Sequence, residues 1–79
     1  MAVQVILYSF FRLKYKGYDQ ENGIKIDIKE EMPIRDLLFM LKINADDSPM
    51  VSINGKLVRK NCMLKDNDVV EIFPVIYGG

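Results

Sequence analysis

The last five residues of the sequence, VIYGG, have types that could offer a reactive group to another protein. Two glycines at the tip leave no side chains around the terminal carboxylate, so the backbone could pass a narrow channel and present that carboxylate to a reagent. Val75, Ile76 and Tyr77 are apolar, and burial in a partner's groove would stabilise a bound tail. Gly78 and Gly79 would form the tip, with the Gly79 carboxylate as the reactive group.

The other side chains offer little for catalysis. The chain has no histidine, the usual general base near neutral pH and a common metal ligand, so triads built on histidine are excluded. The one cysteine, Cys62, lies outside any CxxC or metal-ligand spacing and is interpreted as an inert apolar residue. The acidic run at residues 66–68 lacks the glycine and distal glutamate of a calcium loop and is interpreted as a turn. No metal site is therefore expected.

Length and composition predict one small domain, residues 1–79, in which residues 74–79 form a flexible tail. Hydrophobic residues make up 49% of the chain and charged residues 28%, which is typical of globular proteins. Eleven basic residues balance eleven acidic ones, so no broad basic field is available to bind nucleic acid. The apolar stretch at residues 3–11 has no basic residue ahead of it and is too short to span a bilayer. These features, with the single cysteine, predict a cytoplasmic protein with no membrane or nucleic-acid partner.

The first half of the chain predicts two strands and a helix. Residues 3–10 form an apolar strand, residues 12–23 a polar connection, and the alternating IKIDIK at residues 24–29 a half-buried strand. The two strands should pair as an antiparallel hairpin. Pro33 suits the first turn of a helix of about three turns that ends near Ile43. Its apolar face consists of Ile34, Leu37, Leu38 and Leu41.

The second half predicts a short hairpin and a final strand. Residues 50–53 and 56–58 flank the turn signal Asn54-Gly55, and residues 59–68 are turn-rich, with Met63 and Leu64 as core anchors. The last strand, residues 69–73, alternates between two faces: Val70 and Ile72 lie on one, Glu71 and Phe73 on the other. Pro74 has no amide hydrogen, so regular pairing should stop there. This order predicts an α+β fold, a mixed sheet with one helix across one face.

The sequence resembles a known family in several features at once. VSINGKLV at residues 51–58, LKDNDVVEIFPV at residues 64–75 and the final Gly78-Gly79 together look like the β-grasp sulfur-carrier proteins of the MoaD/ThiS family. The resemblance covers nearly the whole chain, with residues 12–23 matching loosely, and it implies a ubiquitin-like fold. Two departures are a single proline, Pro74, where the family often has two, and Asn67 where glycine is usual. Asparagine tolerates the left-handed conformation that such a turn requires.

The resemblance implies a carrier function for the terminal carboxylate. An E1-like adenylating enzyme (MoeB/ThiF-type) would use ATP to adenylate Gly79, and sulfur from a persulfide would replace AMP to leave a thiocarboxylate. That group would donate its sulfur in molybdopterin biosynthesis, with the chain as the small subunit of molybdopterin synthase. The protein would then be a carrier substrate without catalytic residues of its own. It would hold no permanently bound cofactor, since the activating enzyme uses the ATP.

The resemblance also implies a partner-binding patch on the sheet, at the positions of Tyr8, Leu57 and Phe73. Its partner would be the large subunit of molybdopterin synthase or, in a thiamine-pathway carrier, thiazole synthase. A ubiquitin-like modifier attached to lysines through Gly79 requires the same adenylation and the same slender tail. A β-grasp interaction module with an incidental ending is a further alternative. The sequence leaves these alternatives open.

Overall fold

The computed structural model describes residues 1–14, 18–19, 21–44 and 49–74. In these residues a five-stranded mixed sheet packs against one α-helix, which confirms the predicted α+β arrangement. The strands are β1 (Ala2–Leu7), β2 (Ile24–Asp27), β3 (Pro49–Ile53), β4 (Lys56–Val58) and β5 (Val69–Pro74). The helix is α1 (Ile34–Met40), and a 3-10 helix, Ser9–Lys14, follows β1.

The sheet has the strand order β2-β1-β5-β3-β4, with the first and last strands of the chain side by side in parallel. Val5 pairs with Val70 and Leu7 with Ile72. The hairpins β1–β2 and β3–β4 are antiparallel, and β3 also pairs antiparallel with β5. The final strand therefore lies in the centre of the sheet, where neighbours on both sides hold it.

The core lies between one face of the sheet and α1. Buried side chains alternate along β1 and β5, as the period of two in a strand requires. The predicted helix face is buried in full: Ile34, Leu37, Leu38 and Leu41. Leu64 is fully buried as predicted, but Met63 is 43% exposed, so the prediction of Met63 as a second anchor was wrong.

The first strand ends earlier than predicted. The strand stops at Leu7 instead of residue 10, because Ser9 has a φ of 57°, in the left-handed region that a strand cannot accommodate. The chain then enters the 3-10 helix, which brings Phe11 into the core at 0% exposure. An unbroken apolar run does not distinguish a strand from a helical turn that supplies one core residue.

The helix is also shorter than predicted, at seven residues instead of about three turns. Lys42 has a φ of 60°, and its N–H donates to the Phe39 carbonyl while the N–H of Ile43 donates to the Leu38 carbonyl. These two bonds form a Schellman motif, which ends a helix and satisfies its last carbonyls. Pro33 lies at the N-cap position, directly before the helix rather than within it.

The turns that flank β5 are built as predicted. Asn54 and Gly55 both have positive φ, 51° and 90°, as a two-residue hairpin of type I′ requires. The Asn54 side chain also accepts a hydrogen bond from the Val69 N–H at 2.9 Å, which ties the hairpin to the start of β5. Asn67 has a φ of 68°, so asparagine does adopt the left-handed conformation in the acidic turn. The bond between Asn54 and Val69 helps to set the register of the final strand.

Within the described ranges, the helices are too short or too polar to cross a membrane.

Candidate functional site

The final strand divides its side chains between the two faces of the sheet, as the alternation predicted. Val70 and Ile72 are fully buried towards α1, whereas Glu71 and Phe73 are partly exposed on the opposite side. We call this opposite side the outer face. Its central side chains, in the strands around β5, are Ile6, Tyr8, Met50, Ser52, Leu57, Glu71 and Phe73.

Strand pairing brings the three predicted partner-binding residues to this face. Phe73 pairs with Met50 on β3, and Tyr8 follows directly after Leu7, which pairs with Ile72. Leu57 lies in the row of cross-strand partners next to that of Phe73, because Ser52 pairs with both Leu57 and Glu71. That row places Leu57 two strands from Glu71, roughly 10 Å at about 4.8 Å per strand.

Tyr8 and Phe73 contact each other directly. Their ring centroids lie 6.1 Å apart with an interplanar angle of 82°, an edge-to-face arrangement that aromatic pairs favour. Tyr8 is 41% exposed even so, and Leu57 is 63% exposed. Large apolar side chains of adjoining rows thus remain open to solvent, which is typical of a surface that binds another protein.

Glu71 organises the centre of the outer face, and this residue was not among those predicted to bind a partner. Its Oε2 accepts a hydrogen bond from the Tyr8 hydroxyl at 2.5 Å, and its Oε1 accepts one from the Ser52 hydroxyl at 3.1 Å. Ser52 is only 5% exposed, so this bond satisfies a buried hydroxyl. The one signal in the sequence was the alternation along β5, which puts Glu71 on the same face as Phe73.

The Glu71 carboxylate changes the acidity of its neighbour. The hydrogen bond that Tyr8 donates to Glu71 raises the pKa of the tyrosine hydroxyl above its ordinary value of 10.0. Partial burial and the negative charge of the carboxylate act in the same direction. The hydroxyl therefore remains a hydrogen-bond donor throughout the physiological pH range.

A shallow groove of about 340 Å³ lies where β5 ends, lined by Tyr8, Ser9, Glu71, Phe73 and Pro74. Pro74 is the last residue of β5 and pairs with Pro49. The predicted tail residues Val75, Ile76, Tyr77, Gly78 and Gly79 lie outside the described residues. The described part of the chain does give their point of attachment, Pro74, which lines the same groove as Tyr8 and Phe73.

The two features with possible metal or redox chemistry have ordinary surroundings. Among the described residues, no cluster of three or more His, Cys, Asp or Glu side chains could hold a metal ion. Asp66 and Asp68 accept hydrogen bonds from the N–H groups of Ala2 and Lys65, both at 2.8 Å, as side chains of a structural turn do. Cys62 is half-buried and its Sγ lies 3.9 Å from the Met63 carbonyl oxygen.

The comparison with protein families matches residues 14–79 of this chain to the model of the ThiS family. That match covers most of the sequence and includes the final two glycines.

The chain is also similar to several solved structures. The chain is similar to molybdopterin converting factor subunit 1 from Pyrococcus furiosus, with 26% identity, a TM-score of 0.73, and coverage of 95% of this chain and 98% of that one. It is also similar in fold to a structure from a complex of subunits 1 and 2 of the molybdopterin-converting factor of Helicobacter pylori. There the identity is 21%, the TM-score 0.61 and the coverage 100% of both chains. A thiamine biosynthesis protein from Geobacter metallireducens shares the fold at 20% identity and a TM-score of 0.55, over 96% of this chain and 87% of that one.

Proposed function

This chain belongs to the ThiS family, and from that premise we propose that it is a sulfur carrier whose terminal carboxylate is converted to a thiocarboxylate. The family match and the likeness to molybdopterin converting factor subunit 1 support the general carrier role. The observation that carries the proposal is that the family match extends through Gly78 and Gly79. The matched range therefore includes the two glycines that would carry the reactive carboxylate.

The proposed chemistry begins by activating a poor acyl donor. The Gly79 carboxylate attacks the α-phosphorus of ATP, pyrophosphate leaves, and an acyl adenylate forms on an E1-like enzyme. The terminal sulfur of a persulfide then attacks the acyl carbon and AMP leaves, giving an acyl disulfide. A second thiol cleaves the sulfur–sulfur bond, is itself oxidised to a disulfide, and releases the thiocarboxylate. In each of these reaction steps, the catalytic groups come from the partner enzymes.

Molybdopterin biosynthesis is the pathway that we propose for the sulfur. The protein from Pyrococcus furiosus is more similar to this chain, in both identity and TM-score, than the thiamine biosynthesis protein from Geobacter metallireducens. The likeness to the latter keeps the thiamine pathway as the second candidate. In the first case the sulfur acceptor would be bound by the large subunit of molybdopterin synthase, and in the second by thiazole synthase.

The outer face is proposed to dock the large subunit, with Phe73, Tyr8 and Leu57 as contacts. The similarity of the chain to one from a complex of subunits 1 and 2 of the molybdopterin-converting factor supports a partner of this kind. The groove lined by Tyr8, Phe73 and Pro74 adds support, because a partner bound there would contact the chain just where the tail begins. Docking and delivery of the tail would then depend on the same few residues.

The loading reaction tests the carrier role. The protein is incubated with an E1-like enzyme from the same source, ATP and a persulfide donor, and its intact mass is recorded. We expect one oxygen to be replaced by sulfur, and we expect no change without ATP or in a variant that lacks Gly79. An unchanged mass with an enzyme that loads another carrier would contradict the proposal. Conjugates to lysines of other proteins would instead support the modifier alternative.

A further inference from the structure

We propose that Glu71 determines which partners the outer face accepts, by requiring a cationic side chain opposite its carboxylate. This inference rests on the proposed docking function of that face. It adds the chemistry of the partner: an apolar protein surface with one lysine or arginine at the position that meets Glu71.

The carboxylate is held in place before any partner arrives. Both of its oxygens accept hydrogen bonds, one from Tyr8 at 2.5 Å and one from Ser52 at 3.1 Å. Because these bonds already restrict the Glu71 side chain, it loses little further rotamer freedom when a partner binds. A preorganised carboxylate can therefore contribute to affinity more than a freely moving one.

The Glu71 carboxylate can also accept more hydrogen bonds than Tyr8 and Ser52 donate to it. An ionised carboxylate has about four acceptor sites, and Tyr8 and Ser52 occupy two. The one ion pair between described residues joins Arg35 to Asp36, so no described lysine or arginine neutralises Glu71. A cation from a partner would meet a carboxylate that no described lysine or arginine pairs with and that has acceptor sites the described residues leave open.

The surroundings make that cation necessary. Apolar side chains adjoin Glu71 on the outer face, namely Ile6, Tyr8, Met50 and Phe73, and Leu57 lies two strands away. A partner that covers them therefore removes water from the carboxylate as well. A charge buried without a partner costs several kcal/mol. A surface without a cation is therefore rejected, whereas a surface with one gains a charge-assisted hydrogen bond. Arginine suits the site well, since its planar fork can donate to both oxygens.

The test measures binding to the large subunit of molybdopterin synthase from the same source, at low and at high salt. Glu71→Gln keeps the shape of the side chain and removes its charge. We expect it to weaken binding about 10-fold or more and to reduce the dependence of the Kd on salt. Glu30→Gln removes a charge of the same kind from an exposed position outside the strands, and it should bind like the wild type.

Two further variants separate the possible failures. Tyr8→Phe keeps the ring but releases one carboxylate oxygen, so it should weaken binding by less than Glu71→Gln does. If Phe73→Lys weakens binding while Glu71→Gln binds as tightly as the wild type or more tightly, the docking face is right and the cation requirement is wrong. If neither variant changes the Kd, the outer face is not the docking surface and the inference is overturned with it. Should Glu71→Gln fail to fold, a wild-type Kd that is independent of salt would overturn it as well.

Discussion

The Tyr8 hydroxyl and the Glu71 carboxylate share a hydrogen bond of 2.5 Å between side chains that are 63 positions apart. Alternation along β5 was enough to predict that Phe73 and Glu71 share a face, because strand geometry has a fixed period of two. The contacts of Glu71 were not predictable in the same way. They depend on the parallel register that brings Tyr8 alongside Phe73 and on the antiparallel register that brings Ser52 opposite Glu71.

The raised pKa of Tyr8 gives a test of this contact in solution. We expect Tyr8 to ionise above pH 10.0, followed by absorbance or NMR and assigned by comparison with Tyr8→Phe. Because the folded-state pKa is raised, the contribution of this bond to stability is complete below pH 10 and is lost as the pH rises through the folded value. In Glu71→Gln the pKa should move back towards 10.0. Ionisation of Tyr8 at or below pH 10.0 in the wild type would contradict the hydrogen bond.

Among the elements, most strands and turns followed from the sequence, but β1 and α1 end earlier than predicted, and each ends just before a residue with a positive φ. Ser9 and Lys42 are not residues that typically mark such positions, so neither the end of β1 nor the end of α1 could be predicted to the residue. Asn54-Gly55 is a typical signal for its turn, and there the prediction was confirmed. The sequence therefore predicted a turn to the residue at Asn54-Gly55, where the usual residue types are present, but not at Ser9 or Lys42.

Two glycines in hairpins provide a matched comparison of backbone strain and steric clash. A Cβ at Gly23, where φ is 71°, would lie 2.2 Å from the Val5 carbonyl oxygen, whereas at Gly55, where φ is 90°, it would meet nothing within 4 Å. Gly55→Ala should lower the free energy of unfolding by about 1 kcal/mol through strain alone. Gly23→Ala should lower it by more than about 2 kcal/mol, since a backbone clash adds to the strain. Equal losses in urea denaturation would contradict the close approach of Gly23 to β1.

The left-handed residue at the end of α1 offers a stabilising change. Lys42 occupies the position where helices usually have glycine, with a φ of 60°. Lys42→Gly should raise the free energy of unfolding by up to about 1 kcal/mol, because glycine avoids the steric cost of this conformation. Lys42→Ala is the control, since it removes the same side chain but keeps the cost. If both variants change stability equally, the effect belongs to the lysine side chain and not to the backbone.

In the molecule as a whole, one face of the sheet packs the core and the other is the face that we propose binds the partner. The helix side holds the large buried residues, including Phe11, which is 0% exposed. The outer face leaves Tyr8 partly and Leu57 largely exposed to solvent. The α+β architecture was predictable from the sequence because hydrophobic periodicity determines which faces must be buried. The extent of the outer face could not be predicted without the strand order, in which the first and last strands lie side by side.

Two phenylalanine variants test this division. Phe11→Ala should lower the free energy of unfolding by about 3–5 kcal/mol, a large share of the stability of a small domain. Phe73→Lys should lower it much less, because the residue it changes is only partly buried, but should weaken binding to the large synthase subunit about 10-fold or more. The measurements are urea denaturation and calorimetric titration of each variant. Normal binding by folded Phe73→Lys would mean that the partner docks elsewhere.

A single-turnover transfer experiment tests whether this chain delivers sulfur for molybdopterin. Protein carrying the Gly79 thiocarboxylate is mixed with the large synthase subunit and the sulfur-free pterin precursor, and its mass is followed with time. We predict that the thiocarboxylate returns to a carboxylate only when both are present, while the pterin gains sulfur. A thiocarboxylate that persists with them, but is consumed by thiazole synthase and its substrates, would show that the sulfur goes to thiamine instead.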